Sequence, residues 1–244
     1  MHKDQDAYGQ EIWSFYKTGK GSEIVERDDG FIDTSVYGPS AYFKDYKDWS
    51  DLEKKAIRYA RGRVLDVGCG AGRVALYLQK KGLPVTGIDN SPLAVRTCRI
   101  RGVQNALVRP IEEIRKFPRD SFDSIVMFGN NFGLFGGFRK ARALLKTLHR
   151  ITGEKAIIIA SSNDPYGTKN PCHLAYQKFN RRLGRMSGQL RIRIRYQKAK
   201  GQWFDYLLAS PGEMRKILAG TGWRLSKTVR TGSSLYFGII VKNH

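Results

Sequence analysis

Arg63-Val64-Leu65-Asp66-Val67-Gly68-Cys69-Gly70-Ala71-Gly72-Arg73 is the stretch on which the reading of this chain turns. Val64 to Val67 is a short apolar run fit for a buried strand. The second half packs three glycines into five residues, and Val74-Ala75-Leu76-Tyr77-Leu78 then opens a helix. A strand, a glycine turn and a helix N-terminus make a place to hold a nucleoside-type ligand. The glycines let the backbone turn sharply and let a ligand approach the main chain, where helix N–H groups face it.

The spacing argues against a dinucleotide. That fingerprint, G-x-G-x-x-G, needs glycine where this chain has Arg73. The glycines fall instead as G-x-G-x-G, with Asp66 two residues ahead of the first. Downstream, Pro84-Val85-Thr86-Gly87-Ile88-Asp89 reads as a second strand ending in an acid, which can accept hydrogen bonds from both hydroxyls of a ribose.

Taken with Val85 to Pro92 and with Phe122-Asp123-Ser124-Ile125-Val126-Met127, the glycine stretch resembles the class I S-adenosylmethionine-dependent methyltransferases. The resemblance covers roughly residues 60 to 160 well and the rest loosely. It implies S-adenosylmethionine as cofactor, S-adenosylhomocysteine as product, and a cofactor site at Asp66, Gly68, Cys69, Gly70, Gly72, Asp89 and Asn90. Many relatives carry an aspartate for the adenine about twelve residues before the Phe-Asp of the fourth strand. Here that count reaches Ile111, followed by Glu112 and Glu113. The adenine contact is then either backbone at Ile111 and Glu112 or the Glu112 carboxylate one step displaced.

The order of elements gives the fold class: α/β, with a doubly wound, seven-stranded, mostly parallel sheet and an antiparallel last strand. Strands are expected at Val64–Val67, Val85–Asp89, Ala106–Val108, Ser124–Phe128, Ala156–Ala160, Arg224–Val229 and Ser234–Val241. Helices are expected at about Gly72–Lys81, Pro92–Arg101 and Arg139–Ile151, and a last one after the capping box Ser210-Pro211-Gly212-Glu213. Residues 1–60 read as an N-terminal helical cap segment, with helices over Tyr8–Tyr16 and from Ser50 to about Tyr59; residues 61–244 read as the methyltransferase domain. Within it, about 161–208 is an insertion. Gln189-Leu190-Arg191-Ile192-Arg193-Ile194-Arg195-Tyr196 alternates strictly and pairs with Trp203–Leu208 as an antiparallel hairpin over the substrate.

Ligands of such sheets bind outside the carboxyl ends of the strands, so the loops after them carry the candidate site. After the fourth strand, Gly129 and Asn130 belong to the cofactor site, Asn131 is placed to orient an acceptor, and Phe132 packs against the sulfonium region. After the fifth, Asn163-Asp164-Pro165-Tyr166 is a turn with Tyr166 facing the pocket. His173 suits a general base, since imidazole titrates near neutrality. Tyr37, Tyr42 and Phe43 line the acceptor pocket from the N-terminal segment, which in the resembled family lies over the cofactor, and Arg193 faces the substrate. Neither the Asn/Asp-Pro-Pro-aromatic motif of the amino-methyltransferases nor the position of the Pro-Cys of the cytosine-C5 enzymes is reproduced; Asn170-Pro171-Cys172 lies elsewhere.

Bulk properties bound the rest. The 244 residues carry a formal charge of +21 and three cysteines without paired spacing. There is no apolar run near the ~20 residues of a membrane span, no secretory leader pattern, and no metal-ligand cluster, so a cytoplasmic, metal-free, non-membrane protein is expected. Residues 161–200 hold ten Lys/Arg against Asp164 alone, whereas residues 1–60 hold nine against twelve acids. The basic segment keeps three readings open: a methyltransferase for a small polar or anionic acceptor, an RNA methyltransferase tracking phosphates, and a non-catalytic cofactor-binding module. Sequence leaves the oligomeric state open.

Overall fold

The computed structural model describes residues 5–34 and 38–243, so Tyr37 lies outside the described residues. In chain order the elements are α1 (Ala7–Thr18), β1 (Ile24–Arg27), β2 (Ile32–Asp33), α2 (Asp51–Ile57), β3 (Val64–Val67), α3 (Arg73–Lys80), β4 (Val85–Asp89), α4 (Pro92–Ile100), β5 (Ala106–Val108) and β6 (Phe122–Met127). Then come α5 (Phe138–Ile151), β7 (Thr152–Asn163), α6 (Pro171–Arg182), β8 (Gln189–Tyr196), β9 (Ala199–Lys200), β10 (Phe204–Leu207), α7 (Pro211–Leu218), β11 (Trp223–Arg230) and β12 (Leu235–Lys242).

The seven-stranded sheet has the order β11-β12-β7-β6-β3-β4-β5. β4 pairs with β5 and β6 with β7 in parallel, while β12 runs antiparallel to both β7 and β11. This is the expected mostly parallel sheet with its antiparallel last strand. Parallel strands covered on both faces need apolar residues throughout, and β3 is buried at all four positions.

Two compact bodies share the chain: residues up to Trp49 with Leu65–Ile111 and Arg191–Phe204, and Ser50–Val64 with Glu112–Leu190 and Asp205 onward. In the first, α1 lies on the start of α4. Asp6 caps α1 by accepting from Gly9 N at 3.0 Å, and its other oxygen accepts from Ser91 Oγ at 3.0 Å and Leu93 N at 3.1 Å. One carboxylate therefore satisfies donors at the starts of two helices. Ile12, Ala71 and Ala94 form the buried contact, with Tyr8, Tyr42 and Phe43 packed around it.

The two helices expected in the N-terminal segment form as α1 and α2, and the stretch between them also carries two strands that were not expected. Glu23-Ile24-Val25-Glu26-Arg27 turns through Asp28-Asp29-Gly30 into β2, and β1 pairs with β8 from Ile24↔Arg195 to Arg27↔Ile192. The hairpin expected around β8 is thus part of a five-stranded antiparallel sheet. The alternating arginines of β8 find their partner here: Arg193 makes a two-pronged ion pair with Glu26, at 2.8 and 2.9 Å.

In the second body, β7 is longer than expected, because β12 continues alongside it as far as Leu235↔Asn163. Trp223 is buried and donates from its indole to Leu145 O at 2.9 Å, tying β11 to α5. Both expected capping boxes, Ser50/Glu53 and Ser210/Glu213, are formed. α6 was not anticipated. Asn170 caps it, accepting from Cys172 N at 2.9 Å, and Pro171 occupies the first turn, where a missing N–H costs nothing.

Candidate active site

The first body supplies a cradle. Gly68, Gly70 and Gly72 have φ of +73°, +52° and +82°, all in the left-handed region. A Cβ on Gly70 would lie 2.7 Å from Tyr8 Oη, and one on Gly72 would lie 2.7 Å from Cys98 Sγ. Glycine is required twice over there, by conformation and by space. Gly68 N and Cys69 N both donate to Ile88 O, which fastens the loop to the end of β4.

Asp89 closes that end. Its two oxygens accept from Gly70 N and Ser91 N, each at 3.0 Å. Burial pushes its carboxyl up to about 6, against the pull of the same N–H groups. The carboxylate therefore shapes the loop while retaining lone pairs for further donors. Asn90 is exposed beside it. Asp66, at the floor of the loop, is almost wholly buried, and Oδ2 has no hydrogen-bond partner. Burial raises its carboxyl to about 7, opposed by Arg73. A glycine cradle between two buried acids, one with an orphan oxygen, fits a nucleoside bearing an ammonium tail. Ile111 is buried at the end of this body.

The second body holds the other candidates. Glu112 is exposed and ion-paired to Lys140 at 2.5 Å, so its carboxylate is already engaged. Gly129 has φ +68° in open space, and Asn130 follows at φ +65°. Asn130 Oδ1 accepts from Asn163 N at 2.8 Å and its N–H donates to Ser161 Oγ at 2.7 Å, binding the loop after β6 to the end of β7. Asn131 opens a single tight turn that runs to Phe135. Phe132 is fully buried, edge-on to Phe135 with centroids 5.0 Å apart. Tyr166 is about half exposed, and its hydroxyl donates to Glu213 Oε1 at 2.8 Å. His173 sits half-buried in the first turn of α6.

One positioning group, Tyr206, carried no sequence signal. Tyr206 donates to Asn130 O at 2.7 Å. Its ring lies 2.3–2.6 Å from where a Cβ of Gly133 would stand. Gly133→Ala should push the ring off and strip that hydrogen bond, costing about 1–3 kcal/mol; a melting curve against wild type checks it, and an unchanged midpoint would refute the contact. In the first body, Tyr42 donates to Glu23 at 2.8 Å and meets Tyr8 edge-on at 5.4 Å. Arg193 stacks 4.5 Å over Trp203 besides pairing with Glu26.

Known proteins share this fold. A family profile described as a methyltransferase domain matches residues 65–160, the segment from β3 to β7. Residues 65–160 thus match a methyltransferase domain, and the fold around them is that of S-adenosylmethionine-dependent methyltransferases. A solved methyltransferase of Bacteroides fragilis, crystallised with S-adenosyl-L-homocysteine, superposes with a TM-score of 0.84 at 24% identity, over 100% of this chain and 98% of that one. A protein of Geobacillus sp. named as a methyltransferase is 28% identical over 147 residues, 54% of this chain and 59% of its own length. The ubiquinone biosynthesis O-methyltransferase of Xanthomonas oryzae is 34% identical over 80 residues, 31% of this chain and 34% of that enzyme. The chain thus spans between a third and six tenths of the curated relatives it matches. Among the described residues of the chain, no helix is long and apolar enough to cross a membrane, and no group of three His, Cys, Asp or Glu is placed to hold a metal.

Proposed function

We propose that the chain transfers a methyl group from S-adenosylmethionine to a small polar acceptor. The observation that carries this reading is the Gly68–Gly72 cradle between Asp66 and Asp89, in which Gly70 and Gly72 have no room for side chains. Asp89 would take the ribose hydroxyls, the exposed Asn90 would flank them, and Asp66, with its orphan oxygen, would take the ammonium of the amino-acid tail. Backbone at Ile111 and Glu112 would meet the adenine, since the Glu112 carboxylate is held by Lys140. When bound, the cofactor supplies a methyl group on a sulfonium, open to in-line displacement. What remains for the protein is to orient the acceptor and exclude water.

In this reading Asn131, after β6, orients the acceptor, and His173 takes its proton with the help of Tyr166, both of them after β7. Tyr37, Tyr42, Phe132 and Arg193 remain the proposed acceptor contacts. A small acceptor is also what the name of the Xanthomonas relative implies for that enzyme. The RNA reading is weakened by the pairing of Arg193 and Arg195 with Glu26, which removes two arginines from any phosphate track.

Isothermal titration with S-adenosylhomocysteine tests the cofactor. Saturable binding is expected at one site per chain, and no heat would sink the reading. Turnover should then appear with small acceptors and not with transfer or ribosomal RNA at physiological salt.

A further inference from the structure

We propose that Glu11 and Glu23 form the seat of an organic ammonium group carried by the methyl acceptor, which makes an amine the substrate class. The inference rests on the methyltransferase reading and narrows its acceptor.

Glu11 is fully buried in α1, and neither of its carboxyl oxygens has a hydrogen-bond partner. Glu23 is nearly as buried, and it accepts a hydrogen bond from the Tyr42 hydroxyl. The two acids interact directly: burial and then the neighbouring Glu23 raise the Glu11 carboxyl to about 9. Two acids buried together without a basic partner cost stability, and an apolar pair of similar shape would be the stabilising choice. Buried acids of this kind cluster at functional sites.

The charges around it are of one sign. Among the described residues, Tyr8 feels Tyr42, Asp89, Glu23 and Glu11, and Glu23 feels Asp33. This holds in a chain with 43 Lys/Arg against 22 Asp/Glu. Among the described residues no cation pairs with Glu11 or Glu23, which leaves the complement open to a ligand. The rings of Tyr8 and Tyr42 add the aromatic faces that favour an organic cation over a metal ion.

The place is right for a methyl acceptor. Tyr8 stands one turn before Glu11 on α1, and its hydroxyl lies over Gly70 in the cofactor cradle. Asp66 already provides for the ammonium of the cofactor, which leaves the Glu11–Glu23 pair to a second cation.

The test uses the full chain saturated with S-adenosylhomocysteine, titrated with phenethylammonium and with its neutral counterpart 2-phenylethanol. Wild type should prefer the ammonium at least tenfold, and Glu11→Gln and Glu23→Gln should each bring the preference near unity with the affinity for S-adenosylhomocysteine unchanged. Glutamine keeps the shape and, at position 23, an acceptor for Tyr42, and a melting curve checks the fold of each variant. No ammonium preference in wild type, or one that survives both substitutions, overturns the proposal. A tenfold loss of S-adenosylhomocysteine affinity in the variants, with 5′-methylthioadenosine unaffected, would assign the seat to the cofactor's own tail and overturn the acceptor assignment. Failure of wild type to bind S-adenosylhomocysteine at all is a separate result, and sinks the methyltransferase reading instead.

Discussion

Asp89→Ala should weaken S-adenosylhomocysteine binding about 100-fold or more. The carboxylate is proposed to accept from two ribose hydroxyls, and hydrogen bonds to a charged group are worth about 1.5–3 kcal/mol each. Two such losses amount to at least two factors of ten, since about 1.4 kcal/mol is tenfold in affinity. A second loss adds to this, because the same oxygens hold Gly70 N and Ser91 N. Asp89→Asn is the sharper variant: its amide turns a donor towards one of those N–H groups and deprives the ribose of an acceptor. The pH dependence has a definite sign. The ionised carboxyl is the form that accepts, and in the folded protein it titrates at about 6. Affinity should therefore rise with pH through about 6 and level off above it. Titration calorimetry between pH 5 and 8 measures both effects, and an alanine variant that binds like wild type would remove Asp89 from the site.

The cofactor half was legible because its constraint is local. A backbone that must take positive φ three times in five residues can be met only by glycine, and the strand before it and acid after it stand at fixed distances. The sheet was legible for the same reason, since each buried strand is a short apolar run. What escaped depended on partners far along the chain. β1 was invisible because Ile24-Val25-Glu26-Arg27 does not declare a strand until β8 lies beside it. The arginines of β8 read as a phosphate-binding face, when Glu26, 167 residues away, already paired with one of them. α6 was a different failure: Asn170-Pro171 is a good cap and first turn, and its cysteine drew attention to nucleophiles instead. Glu11 could not be found at all, as one acid among twelve in residues 1–60, most of them at the surface.

Glu11→Gln should melt higher than wild type, by a margin that grows with pH. In the folded protein burial raises Glu11 from 4.5 to about 9. Between those values the unfolded chain releases a proton that the folded chain retains, so stability falls as pH rises. The penalty is absent below about 4.5, grows through neutrality and saturates above about 9. Near pH 7 it reaches about 3 kcal/mol by linkage, or roughly 5–10 °C in melting temperature for a chain of this size. Asp66 and Asp89 are raised as well, to about 7 and 6, but both remain in the variant, so the difference between the proteins isolates Glu11. Relief of Glu23 from its neighbour adds to the gain. Melting curves from pH 5 to 9 decide the matter: a constant gap, or a variant that melts lower at pH 8, would mean that Glu11 is not the uncompensated acid described here. A widening gap would mean that the fold gives up stability to keep an acid buried at this place in α1.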